Sequence, residues 1–398
     1  MVGRFKVKCS IIVGLFLAFA TLSSGCFLVR LFQKKKSLKN EKVTSIKVSL
    51  LSGSPSLCPG QKDTLVVNAT TKEGKLFSTK RKSYSEAPVG WGNYAVDCYG
   101  CVHNGKGVIQ VDKDPREVWN KTVRYKATLV HKASLVSQAT TPITFQCKFI
   151  ANHGGAWGRK GRDGLSGSRG RQGTGHASSG SAARPGGHGE RGGDGRDGGP
   201  GGNGRDADNL SVRIALVQQK GSNHKLLQVN VLNLSTRKTE LYVVDPNGGK
   251  LFVKANGGAG GDGGAGGHGG TGGGAGTGAP NGDGGAGGHG GNGGDGGDGG
   301  NGGSIDVVAD LAARPYINTI VFSNRGGGAG RAGRGGTGGN SGPVFSGGQA
   351  GPRGRPGRKG RRGRFGRDGD PVTLRYRNVA PTSMKPSTPT DMPDRNAY

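Results

Sequence analysis

The sequence predicts a mainly β protein in which an antiparallel sandwich is followed by glycine-rich helices of the polyglycine-II or collagen type, clamped by short β-strands. Three observations predict it. Apolar and polar residues alternate in several runs between 43 and 152. Glycine fills two positions in three through most of 257–303. Short strand-like runs separate the glycine-rich blocks.

The alternation comes first along the chain. Ile46, Val48 and Leu50 form one period-two run, and Leu65, Val67 and Ala69 a second. Val123, Tyr125, Ala127 and Leu129 form a third; Ile143, Phe145, Cys147 and Phe149 form a fourth. Such runs, parted by Gly, Pro and Ser, are half-buried strands, and residues 43–152 suffice for two packed sheets. Cys147 falls on the apolar side of its run, which suits a buried disulfide.

Glycine-rich sequence follows. In 153–208, Gly158, Gly161, Gly164, Gly167, Gly170 and Gly173 keep a three-residue spacing. A β module is expected at 209–256, where Leu227, Val229 and Val231 alternate. There Leu241-Tyr242-Val243-Val244 runs into Asp245-Pro246-Asn247-Gly248-Gly249, a hairpin signal. A strand pair is expected at 304–324, with strands at 304–309 and 316–323. A second Gly/Arg block fills 325–371, with glycine every third residue from Gly348 to Gly369. A last strand is expected at 372–377 and a disordered tail at 378–398.

The segment 257–303 is the most regular. Its free positions are Ala259, Asp262, Ala265, His268, Thr271, Gly274, Thr277, Pro280, Asp283, Ala286, His289, Asn292, Asp295, Asp298 and Asn301. The other positions are glycine except Ala275, Ala279 and Asn281, and that cluster marks a turn between antiparallel arms at 257–274 and 282–303. Three residues per turn is polyproline-II geometry. Two bare faces per turn let neighbours approach and bond through their backbones, with the third face turned to solvent. At ~3.1 Å per residue the first arm would be about 56 Å long. Ordering so much glycine is entropically costly, so flanking strands must hold the ends. The same period in 158–173 and 348–369 fits collagen, but those blocks are too short and too poor in proline for an isolated triple helix.

Composition narrows the function. There are 84 glycines in 398 residues, and only 31% of residues are hydrophobic, so cores must be local. The net charge of +30 points to an anionic partner. Arg4, Lys6 and Lys8 precede an apolar run from Ser10 to Leu22, the layout of an export signal. Leu22-Ser23-Ser24-Gly25-Cys26 then resembles a bacterial lipobox, which implies lipidation of Cys26. The alternative is an uncleaved signal anchor from Ile11 to Phe32. On the first reading 1–26 is a lipoprotein-type signal segment and 27–42 a basic linker. Outside the leader remain Cys58, Cys98, Cys101 and Cys147. Four cysteines in an exported region read as disulfides, with three pairings open.

Two further resemblances apply. Cys58-Pro59-Gly60-Gln61, a strand, and Thr70-Thr71-Lys72-Glu73-Gly74 resemble the early part of bacterial immunoglobulin-like domains, which implies an Ig-like sandwich at 43–152. Alternating triplets and strands, as in Gly300-Asn301-Gly302-Gly303-Ser304-Ile305-Asp306-Val307-Val308, resemble collagen-like, glycine-rich surface lipoproteins of Bacteroidetes-type bacteria. That likeness implies a cell-envelope, outer-membrane location and no particular activity.

Catalytic and metal chemistry find no frame. Cys98-Tyr99-Gly100-Cys101 has redox spacing but lacks the strand-to-helix setting. His268 and His289 occupy equivalent repeat positions, yet two ligands do not make a metal site. No nucleophile–base pair is present, so neither an enzyme nor a cofactor is expected. The strongest functional signal is basic. Arg353, Arg355, Arg358, Lys359, Arg361, Arg362, Arg364 and Arg367 stand against Asp368 alone. They either pair with the aspartates of 257–303 or form an anion-binding strip. The expected partners are membrane lipid through the anchor and an anionic polysaccharide or lipopolysaccharide. The expected role is a cell-surface scaffold or adhesin-like element. The alternative is an Arg/Gly-rich nucleic-acid-binding protein; Phe365 is the strip's single aromatic, so base stacking has little support.

Overall fold

The computed structural model describes residues 35–80, 88–176, 184–218 and 223–382. The leader with Cys26 and the tail beyond 382 lie outside the described residues. Among these, no helix is long and apolar enough to cross a membrane. The protein is mainly β, and its described residues divide into two compact units, one up to 144 and one from 145 to 382.

The first unit holds two antiparallel sheets around one apolar cluster. The strands are β1 (Val43–Leu50), β2 (Lys62–Thr71), β3 (Leu76–Ser78), β4 (Tyr94–Tyr99), β5 (Cys101–His103), β6 (Val108–Val111), β7 (Thr122–Leu129) and β8 (Val136–Pro142). One sheet runs β1-β2-β6-β5 with β3 also on β2; the other runs β4-β7-β8. Alternation dictates which face is buried. In β7, Val123, Tyr125, Ala127 and Leu129 enter the core while Arg124 turns outward. The Tyr125 hydroxyl bonds the Thr141 hydroxyl at 3.1 Å, so its burial leaves no orphaned polar group.

The second unit combines two sheets with six extended glycine-rich segments. Its strands are β9 (Lys148–Asn152), β10 (Leu210–Gln218), β11 (Lys225–Asn233), β12 (Thr239–Val244), β13 (Lys250–Lys254), β14 (Ile305–Asp310), β15 (Ile320–Ser323) and β16 (Thr373–Arg377). One sheet is β15-β13-β9, all parallel. The other is β12-β11-β10-β14-β16, in which β10, β14 and β16 are parallel. Val212, Ile214, Val229, Val231, Leu251, Val253 and Val307 share a single buried cluster between them.

Three local expectations change. The run from Ile143 to Phe149 is strand only from Lys148 onward, and that strand pairs with β13. The turn after β12 forms: Asp245 Oδ1 accepts from Asn247 N at 2.8 Å, and Gly248 takes φ +119°. It is a corner and not a hairpin, because β12 and β13 belong to different sheets. Residues 316–319 are not strand; they end a 3-10 helix, Leu311–Thr319, and strand begins at Ile320. The Asp310 side chain caps that helix by accepting from Ala312 N.

A candidate anion-binding edge on the glycine-rich arms

The six glycine-rich segments are arm 1 (153–176), arm 2 (184–209), arm 3 (255–277), arm 4 (282–304), arm 5 (324–343) and arm 6 (348–371). Arms 1, 3 and 5 leave the ends of β9, β13 and β15; arms 2, 4 and 6 lead into β10, β14 and β16. The strands therefore set the register of the arms. Asn152 pairs with Lys254 in the sheet, and Asp163 meets Ala265 in the arms, the same separation of 102 residues. Leu210 pairs with Ile305 as Asp197 meets Asn292, a separation of 95.

Backbone hydrogen bonds join the arms at every third residue. Arms 3 and 4 are antiparallel neighbours, as the sequence predicts: Gly285 N donates to Gly273 O, and Gly300 N to Gly258 O, at 2.8 Å. Arm 3 also bonds arms 1, 2 and 5, and arm 4 bonds arms 2, 5 and 6. Four neighbours leave room for a side chain at one position in three. A Cβ on Gly260 would strike the backbone of arm 4 at Gly297, and one on Gly261 that of arm 1 at Arg159. Among the described residues arm 6 bonds only arms 4 and 5 of the other arms, and its single glycine row lies in the groove between them. Glycine content thus follows neighbour number. The blocks 158–173 and 348–369 need one glycine in three because they are edges of this assembly. Where Ala329 and Ala332 take a glycine place, the arm 5–arm 6 bond lengthens from 2.8 Å at Gly357–Gly336 to 3.1 Å at Gly363–Gly330.

Most of the free positions are exposed, with Ala259, Asp283 and Ala286 half-buried and Gly274 buried, but they are not idle. Their acceptors bond the backbone N–H of the next arm, level by level. Asp194 Oδ1 accepts from His289 N, and His289 Nδ1 accepts from Arg355 N at 2.9 Å. One level on, Asp197 Oδ1 accepts from Asn292 N, and Asn292 Oδ1 from Arg358 N. Asp295 and Asp298 accept from Arg361 N and Arg364 N at 2.7 and 2.6 Å, and Asn301 from Arg367 N. Short acceptors reach a main-chain donor one arm away; longer side chains would overshoot. The sequence reading misses this ladder, although the crowding of Asp, Asn and His onto one position in three was its signal. His268 is used likewise, Nδ1 accepting from Thr337 N at 3.1 Å, so neither repeat histidine is spare. No group of His, Cys, Asp or Glu fit to hold a metal exists among the described residues.

Two ladder carboxylates, Asp163 and Asp194, titrate below the ordinary aspartate value of 3.8. The Ala265 backbone N–H, and then Lys160, hold Asp163 down; the His289 backbone N–H, and then Arg191, do the same for Asp194. A carboxylate lowered on folding contributes stability that is complete above its unfolded value and is lost as pH falls from there through the folded value. The contribution of these two carboxylates to the thermal stability of the second unit is therefore expected to be complete above about pH 5 and to fall below about pH 4. Asp194→Asn keeps an acceptor for His289 N, so it should shrink that acid dependence with little loss at pH 7.

The basic residues of arm 6 are arranged by the same bonds. Arg355, Arg358, Arg361, Arg364 and Arg367 each donate their N–H to an arm 4 side chain, and each accepts at its carbonyl from an arm 4 glycine. All five stand exposed in one row. Arg353, Lys359 and Arg362 form a second exposed row with Pro356 and Phe365. The carboxylates of Asp295 and Asp298 go to backbone N–H groups, and none of the eight cations has an ion-pair partner among the described residues. Ion pairs within the arms are instead Lys160–Asp163 and Arg191–Asp194, while His188 Nδ1 accepts from the Asp283 backbone N–H. Pairing of basic against acidic arms thus does not consume the strip.

The four cysteines among the described residues are disulfide-bonded. Cys98 and Cys101 are disulfide-bonded, Cα to Cα 5.4 Å, and join β4 to β5 across the two sheets of the first unit, with Gly100 at φ +75° in the turn. Cys58 and Cys147 are also disulfide-bonded, and Cys147 is buried.

Comparison with protein-family profiles, curated proteins and solved structures finds no match. The functional reading therefore rests on the chain's own geometry.

Proposed function

We propose that this chain is a membrane-anchored cell-surface scaffold or adhesin-like protein whose basic edge binds anionic envelope or matrix components. The six arms are polyglycine-II-like helices on this reading, and the first unit is an Ig-like sandwich. The observation that carries the proposal is the arm 6 row. Five guanidinium groups stand on a backbone fixed from one side, exposed and without ion pairs among the described residues. Arginine forks of that kind bind carboxylate, sulfate and phosphate.

The anchor supplies the location. Cys26 receives lipid after export, the arms stand outside the cell, and disulfides suit that compartment. In cells fed labelled fatty acid, the wild-type chain is expected to take label and fractionate with the outer membrane. Cys26→Ala should give unlabelled precursor or released protein. Label persisting on the Cys26→Ala chain, or never appearing on the wild type, would replace the lipid anchor by a signal anchor.

A further inference from the structure

We infer that the Arg355–Arg367 row is a track for one class of ligand, an extended, unbranched acidic polysaccharide with about one negative charge per disaccharide. The inference rests on the basic-edge reading above and specifies its occupant.

Spacing is the first argument. At three residues of ~3.1 Å each, neighbouring guanidinium groups stand about 9.3 Å apart, and the row extends over about 37 Å. A lone sulfate or a lipid headgroup could touch one or two of them. Only a linear polymer can meet all five, and its charges must be sparse. Duplex nucleic acid offers a charge every ~1.7 Å, far denser than this row.

The ground beside the row is the second argument. Asp295 and Asp298 on arm 4, and Asp197 and Asp206 on arm 2, share its layer. Each uses Oδ1 on a backbone N–H. These acids repel a densely charged polymer that strays off the arginines. They also present acceptors to the hydroxyl groups of neutral sugars lying between charges. Base stacking has little platform here, because the strip offers one aromatic ring, Phe365, which is exposed but carries the Arg362 guanidinium over one face at 4.7 Å.

The test uses the full chain with hyaluronan fragments of one to eight disaccharides, inorganic sulfate, and oligothymidylates matched in charge number. Hyaluronan affinity should rise with length to about five disaccharides and then level, with sulfate bound far more weakly. Arg358→Gln, Arg361→Gln and Arg364→Gln combined should weaken the longest fragment by about 30-fold or more, a loss of about 2 kcal/mol. A relocation variant keeps the net charge but breaks the row by moving two charges to exposed positions of the first unit: Arg358→Gln and Arg361→Gln with Val102→Arg and Val130→Arg. It should lose about tenfold. All these changes leave the backbone N–H donors in place, and unchanged protease protection of 257–303 would show that the arms persist. If the relocation variant binds like wild type, or affinity ignores fragment length, the track is wrong and a diffuse basic edge remains. If oligothymidylate binds as tightly as hyaluronan, the polysaccharide assignment falls. If no polyanion binds in a salt-sensitive way, the basic-edge reading itself fails.

Discussion

Valine at Gly264 or at Gly288 is expected to dismantle the arms, whereas serine at Ala265 or Ala286 is expected to leave them intact. The four residues sit side by side in the same repeats, so local composition hardly distinguishes them. Space does. A Cβ on Gly264 would meet the carbonyl group of Arg162, and one on Gly288 that of Gly193, both backbone groups with nowhere to retreat. Each contact also lies in the ladder itself: Gly264 N donates to Gly199 O at 2.9 Å, and Gly288 N to Gly270 O at 2.9 Å. Separating two arms to admit a branched side chain strains several neighbouring bonds. The expected cost is about 3 to 5 kcal/mol, beyond ordinary overpacking because the backbone must move. Ala265 is exposed, Ala286 half-buried, and a hydroxyl there should change stability by less than ~0.5 kcal/mol. Limited proteolysis of 257–303 with thermal unfolding reads the difference. Wild type and all four variants cut equally fast would mean that the arms are a loose linker.

Deleting one residue from an arm should be ruinous, and deleting three beside its turn should be tolerated. Removal of Gly293 leaves β14 held in register by β10, so everything from 282 to 292 must shift by one place. Ala286, His289 and Asn292 would then turn into positions where backbone packs on backbone, and their acceptors would leave the N–H groups of the next arm. The expected result is loss of the cooperative transition. Removing Asp283, Gly284 and Gly285 instead preserves the phase of all that remains and shortens arm 4 near the 278–281 turn, at the cost of one rung. That variant should fold with a modestly lower Tm. Equal damage from the two deletions would show that phase is not what the strands enforce.

Much of this was legible in the residues. A period of three needs no tertiary information, because glycine at fixed places is a statement about local clearance. Likewise Val123, Tyr125, Ala127 and Leu129 announce their buried face through alternation alone. The cluster Ala275, Ala279 and Asn281 was a weaker guide: the turn lies at 278–281, while Ala275 is fully buried within arm 3. The Asp245–Gly249 turn was recognisable as a turn, since Asp, Asn and Gly satisfy its backbone locally, but not as a corner between sheets. Choosing between the two depends on where the apolar faces of β12 and β13 find partners. The strand expected at 316–323 failed for a similar reason. Asp310 can cap a helix only after β14 has brought the chain to its end.

What the sequence by itself determined is the local rule at each residue: which positions admit a side chain, which runs alternate, and where arginine recurs every third place along arm 6. What only the tertiary structure decided is who neighbours whom. Glycine backbones are chemically identical, so nothing within Gly-Gly-X selects one partner arm over another. Selection falls to the side chains of β10, β13, β14 and β15, whose buried valines, leucines and isoleucines pack in one register, with Ala151 of β9 and the half-buried Tyr376 of β16 beside them. Once that register is set, collagen-like blocks become edges, the Gly-Gly-X arms become the interior, and the acidic side chains of arm 4 are committed to backbone N–H groups. The arginines of arm 6 are thereby left facing outward without ion-pair partners among the described residues.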